Sequence, residues 1–216
     1  MSLSGTGVAS TTPDMATLTS GVVTHGKTAR EALTANNVIM SNLVDTIKAA
    51  GIADKDIRTS GFAVHPQYSR HDSSISSDRN RPPGIVGYQV SNNVTVRLHN
   101  LEKLGIVLDQ MVTAGSNTVN GIRFGVAEPK PLQDKARRLA MADALDKATL
   151  YSNAAGVCLS RIKTIAEHGG HVPEQPIAMR TMAMDEMQSA VPVQAGEVGF
   201  TATVAVTWEV ANAPCS

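Results

Sequence analysis

An α+β fold, with largely antiparallel sheet and three helices packed on one face, is what this sequence predicts. Three observations carry it. Three segments place apolar residues at helical spacing and close on an Ala-Gly or Ala-Ala-Gly signal. The stretches between them alternate apolar and polar residues with period two. Several of those stretches follow one another with no helix between, which favours antiparallel pairing over a crossover.

The chain opens with candidate strands over 3–10 and 15–25. Gly5-Thr-Gly7 has the look of a dinucleotide loop, but that motif needs a strand before it, a helix after it and a later acidic residue. Here Pro13-Asp14 and another strand follow, so the glycines read as part of a tight strand-to-strand connection. The first helix starts at Thr28-Ala-Arg-Glu31, a capping box in which hydroxyl and carboxylate each satisfy a backbone donor. Leu33, Met40, Leu43 and Ile47 mark its inner face, and Gly51 suits the left-handed position after its end.

A strand over 57–68 is followed by 85-IVGYQVSNNVTVRL-98, where Tyr88, Val90, Val94, Val96 and Leu98 share a face. Asn100 is the N-cap candidate of the second helix, which runs through Leu101, Leu104, Leu108 and Met111 to Gly115. A strand over 118–127 leads to the third helix, from about Pro131 to Gly156. Its predicted face is Leu132, Ala136, Leu139, Ala140, Ala144, Ala148 and Tyr151, and so many alanines imply close packing. Asp134 with Arg138 and Asp143 with Lys147 are i,i+4 pairs suited to its wet side. Strands over 158–168 and 198–210 complete the set. In the last, Val198, Phe200, Ala202, Val204, Val206, Trp208 and Val210 alternate with Thr201, Thr203, Thr207 and Glu209.

The whole span 3–210 reads as one domain with room for two subdomains, since 216 residues can bury a sizeable core. Two polar segments, 69–84 and 169–196, read as long loops, and loops of that length are usually functional or disordered. Residues 69–84 are expected to be the most protease-sensitive interior stretch.

Composition excludes several function classes. Lys+Arg and Asp+Glu balance at 19 each, so nothing steers the chain toward polyanions, and at 3% aromatics there are few stacking platforms for bases. Nucleic acid is not an expected partner. No apolar run reaches the length of a membrane-spanning helix. Met1-Ser2 leads straight into a strand with no charged-then-apolar leader, as expected of a mature domain. Two cysteines make no disulfide framework. Cys158 and Cys215 could meet if their strands pair, and the plainer reading is a buried thiol and a frayed tail.

No nucleophile elbow, zinc-protease motif or Walker loop is present, and the carboxylates are scattered. No enzyme and no cofactor are expected, with a hydrolase of dispersed residues as the outside reading. His65, His71, His168 and His171 flank the two loops and are weak metal candidates. They lack compact ligand spacing and read first as solvated loop histidines. Met179, Met182, Met184 and Met187 fall within nine residues. Methionine fills irregular gaps between surfaces, and exposed apolar clusters mark contacts, so a self-association seam is the favoured reading. Soft-metal ligation and plain disorder are the alternatives; the charged residues Arg180, Asp185 and Glu186 argue against a membrane-seeking helix.

The blocks 4-SGTGVASTTPDMATL-18, 83-PGIVGYQVSNNVTVRL-98, 113-TAGSNTVNGIRFGV-126 and 196-GEVGFTATVAVTWEV-210, with the helix 135-KARRLAMADALDKATLYSNAAG-156, closely resemble the SIMPL-domain family (domain of unknown function 541). Within it, the resemblance is strongest to the bacterial periplasmic immunogenic proteins. It implies export to the periplasm or outer membrane, peripheral envelope association, a ring- or channel-like homo-oligomer and a link to oxidative stress. It implies no catalytic residues. The expected function is therefore a non-enzymatic homo-oligomeric envelope or stress-defence protein. The alternative is a periplasmic metal- or small-ligand-binding protein using the Met- and His-containing loops.

Overall fold

The computed structural model describes residues 1–69, 84–168 and 195–212. In chain order these form β1 (Ser2–Thr11), β2 (Met15–Gly26), α1 (Ala29–Ala49), β3 (Ile57–Tyr68), β4 (Ile85–Leu98), α2 (Leu104–Thr113), β5 (Thr118–Gly125), α3 (Lys130–Ala155), β6 (Val157–His168) and β7 (Val198–Asn212). Each of the three helices and seven strands falls within a few residues of its expected place. The chain divides into two compact units. One holds residues 1–14, 125–168 and 195–212, and Met15–Phe124 forms the other, nested in the sequence between the first pieces of its neighbour.

The nested unit is a four-stranded sheet in the order β3-β4-β2-β5, backed by α1 and α2. Its β2–β4 and β3–β4 pairs are antiparallel. The capping box forms as expected: Thr28 Oγ1 accepts from the Glu31 amide at 3.2 Å, and Glu31 Oε2 accepts from the Thr28 amide at 3.4 Å. Asn100 caps as expected too, accepting from the Glu102 amide, although the first turn there is a 3₁₀ turn over Leu101–Lys103 before α2 proper. Alternation in β2 and β4 turns Leu18, Val22, Val94 and Val96 onto Met40, Leu43 and Ile47 of α1 and Leu104, Val107 and Met111 of α2. At about 1.5–3 kcal/mol per buried large aliphatic side chain, this core is the main stabiliser of the unit.

Polar groups are also buried here. Asn36 is fully buried on the inner face of α1 and donates to the Val22 carbonyl at 3.0 Å and the Val90 carbonyl at 3.4 Å. Its Oδ1 has no partner. Ser20 and Ser116 are hydrogen-bonded to each other, and Asn117 clamps both backbone groups of Val23.

The flanking unit is a three-stranded antiparallel sheet in the order β1-β7-β6, with α3 against it. Ala136, Ala140, Ala144, Ala148 and Ser152 form the buried stripe of α3. Leu139 and Tyr151, expected on that face, are exposed. A strict i,i+4 row of small side chains is what a helix needs to lie close to a strand, and the larger residues turn outward.

Gly5 and Gly7 are the other half of that contact. They sit inside β1, opposite Val204 and Ala202, so they are not a strand-to-strand connection. A Cβ on Gly5 would overlap the Ala140 carbonyl, and one on Gly7 the Ala136 carbonyl and Ala140 amide. Backbone meets backbone.

Side chains of α3 also close the outer edge of β1. Asp143 Oδ2 accepts from the Thr6 amide at 2.8 Å, and Lys147 Nζ donates to the Ser4 carbonyl at 3.2 Å while pairing with Asp143 at 2.7 Å. The expected Asp134–Arg138 pair does not form; Asp134 pairs with Lys130 at i−4 and Arg137 at i+3. Gly156 ends the helix in the left-handed region, at φ 64°.

Candidate functional site

The four clustered methionines, and His71, His171 and Cys215, lie outside the described residues. His65 is exposed on β3 opposite Gln89, and His168 is exposed at the end of β6 opposite Thr203. They belong to different units. Among the described residues no group of three metal-ligating side chains occurs. Cys158 is not a thiol, as the plainer reading had it, but is disulfide-bonded.

Two surfaces of the nested unit stand out instead. The first is the outer half of the β3–β4 hairpin. Pairing with β2 ends at Gly26↔Tyr88, whereas β3 and β4 continue together through Gln67↔Gly87 and Tyr68↔Ile85. Past Tyr88 the sheet is therefore only two strands wide, and such ribbons are marginal without something to cover them. Tyr68, Ile85 and Val86 on this end are more than half exposed, and so is Phe62 further back on β3, where β2 still pairs with β4; Val64, also there, is 38% exposed. The edge itself is blunted. The register slips between Ser60 and Ala63, and Pro66 removes a donor from β3. The faces of this ribbon, more than its β3 edge, are open to solvent.

The second surface is the sheet face turned away from α1 and α2. Strand alternation that buries Val94, Val96 and Leu98 sends Asn93, Thr95 and Arg97 to the other side. Thr17 and Thr19 of β2, Arg58 of β3, and Asn120 and Arg123 of β5 join them around a hollow of about 690 Å³, with Lys55 and Asp56 at its rim. Among the described residues, Arg58, Arg97 and Arg123 have neither a carboxylate nor a hydrogen-bond partner. Asp56 is turned to His99 at 3.6 Å. The balanced net charge thus hides a local excess of four cations over one carboxylate. Each arginine adjoins an apolar residue on the core side (Ile57 and Ile122 partly buried, Val96 fully), so alternation alone marks it as outward. Only the strand order shows that the three share one face.

Several charges of the flanking unit are paired. Glu209 takes Arg161 at 2.8 Å and Lys163 at 3.2 Å, and Arg137 reaches Glu167 at 3.1 Å. Hydrogen bonds from Arg161 and then Lys163 hold the Glu209 carboxyl below its usual range. Lys130 and then Arg137 do the same for Asp134, and Lys147 followed by the Thr6 amide for Asp143.

Helix-backed antiparallel sheets in two units, one inserted in the sequence of the other, define an α+β protein. The chain belongs to the SIMPL family, described as proteins of unknown function (DUF541), with a match over residues 1–208. A 26 kDa periplasmic immunogenic protein of Brucella melitensis is 37% identical over 215 residues, 97% of this chain and 84% of the relative. The uncharacterized protein YggE of Edwardsiella ictaluri is 30% identical over 173 residues, covering 80% of this chain and 70% of that one. Its Escherichia coli K12 counterpart is 29% identical over 194 residues, 90% and 74% respectively. No described helix is long and apolar enough to cross a membrane.

Proposed function

We propose that this chain is a non-enzymatic protein of the periplasm, or of the periplasmic side of the outer membrane, that works as a homo-oligomer in envelope maintenance or oxidative-stress defence. The name of the Brucella relative supports the compartment. A disulfide at Cys158 suits an oxidising one as well. The observation that carries self-association is the exposed apolar set Phe62, Tyr68, Ile85 and Val86 along β3 and β4, the last three on the two-stranded end. Fully burying each such side chain is worth about 1.5–3 kcal/mol, and a symmetric assembly repeats that gain at every contact. The methionines Met179, Met182, Met184 and Met187 are proposed as a second seam.

Multi-angle light scattering at micromolar concentration tests this. The intact chain is expected at a multiple of its 22.7 kDa mass. Phe62→Ser with Ile85→Ser, or the four methionines replaced by Ser, should lower that mass with the circular dichroism unchanged. A strict monomer would overturn the reading.

A further inference from the structure

The cationic hollow on the open face of the four-stranded sheet calls for a ligand of its own. We propose that it binds a compact polyvalent anion of the oligophosphate class. This stands apart from the exposed hairpin residues, because Phe62, Tyr68, Ile85 and Val86 do not line it.

The strand register sets the spacing. Arg58 faces Thr95 across β3–β4, and Arg97 faces Thr17 across β2–β4. Arg58 and Arg97 are therefore diagonal neighbours, roughly 7–8 Å apart at the backbone. Arg123 stands on β5, beyond β2, so the three guanidiniums span a sheet roughly 14 Å wide from β3 to β5. Their long side chains can converge from both sides on one object in the middle.

The floor between them is polar and neutral. Thr17, Thr19 and Thr95 present hydroxyls, and Asn93 and Asn120 present amides, already linked to each other at 3.0 Å. No large apolar side chain lines this face. An apolar guest would gain nothing there.

The chemistry of the donors selects the anion. A guanidinium presents planar, paired N–H groups that match the oxygens of phosphate or carboxylate. A tetrahedral phosphate can take such forks from different strands at once and still accept from a threonine hydroxyl below it. A single phosphate cannot satisfy three arginines spread over that width, whereas a short chain of phosphates can. Neighbouring acids do not compete: Asp56 is turned to His99, and Asp54 to Lys48 at 3.0 Å. The hollow's volume of about 690 Å³ suits a small soluble anion.

Isothermal titration with sodium tripolyphosphate, against inorganic monophosphate, tests the proposal on the intact chain. Tripolyphosphate is expected to bind at least about tenfold more tightly, with affinity falling as salt is raised. Arg58→Gln with Arg97→Gln should weaken it by at least about tenfold, while Lys135→Gln on α3 should leave it unchanged. The mass by light scattering should be the same in both variants, since the arginines are not part of the proposed seam. Absent binding, or binding indifferent to the arginine pair, would overturn the site. So would binding seen only with phosphatidic-acid vesicles, which would make the face a lipid contact. A loss of assembly in the arginine variant would make it an interface between copies.

Discussion

The two units solve the same problem, a helix on an antiparallel sheet, with opposite materials. The nested unit fills the gap with Leu18, Leu43, Ile47, Met111 and several valines, all fully buried. The flanking unit removes the gap. Alanines at 136, 140, 144 and 148 let α3 come down until its backbone meets Gly5 and Gly7. The first unit depends on apolar area, and the second on close approach plus polar ties at the rim. Among the described residues, the carboxyls held below their usual range, Asp134, Asp143 and Glu209, belong to the second. A close contact tolerates no added atom, while a filled core tolerates no removed one.

That contrast can be broken or sharpened by experiment, because Trp208, the only tryptophan, is buried in the flanking unit and reports on it. Gly7→Ala should have the largest effect. Its methyl group meets helix backbone, which no side-chain rotation relieves, and a loss of about 4 kcal/mol or more is expected. In urea the Trp208 fluorescence transition should move to much lower denaturant, with part of the circular dichroism persisting. Gly84→Ala, where nothing lies within 4 Å, should change neither. If Gly7→Ala unfolds at the parental midpoint, the close approach is not what stabilises this unit.

Leu43→Ala comes next. It opens a cavity in the aliphatic core and should cost about 2–5 kcal/mol. Here the dichroism is expected to shift while the Trp208 signal stays near its parental midpoint. Coincident movement of both probes in both variants would mean that the units unfold as one.

The smallest effect is that of acid. A carboxyl whose pKa is lower in the folded state stabilises fully above its unfolded value, and that contribution disappears as pH falls through the folded one. For Asp134, Asp143 and Glu209 the loss sets in below about pH 4. Because all three are partly exposed, screening keeps it modest. The Trp208 midpoint should therefore fall with acid more steeply than the dichroism of the nested unit, and Asp143→Asn should flatten that slope. Equal slopes would remove the electrostatic half of the comparison.

Much of this fold was legible in one dimension, because caps and alternation are local. Thr28 and Glu31 meet within a turn, and Val94, Val96 and Leu98 declare their face without any partner. What alternation could not show was which strand stands beside which. Gly5 and Gly7 looked like a connection because nothing nearby reveals the helix, more than a hundred residues later, that lies on them. Asn36 sat unnoticed on an apolar face, as its donors go to carbonyls of β2 and β4. Asp134 took Arg137 rather than Arg138 because Arg137 also reaches Glu167 on β6. The arginines of the hollow balanced out in the net charge and converge only through the strand order β3-β4-β2-β5.

The nesting of one unit inside the other has a consequence in time. The Met1 amine bonds the Trp208 carbonyl, 207 positions away, and β1 runs its whole length against β7. Contacts that distant close late, since the intervening chain must be gathered first. A polypeptide delivered amino end first can complete residues 15–124 while β1 still waits for its partner. During that wait an ordinary apolar strand would be a hazard. This one, Ser-Leu-Ser-Gly-Thr-Gly-Val-Ala-Ser-Thr, carries little apolar surface and two glycines, a composition poorly suited to aggregating. The glycines that admit α3 in the finished protein also keep the waiting strand inert.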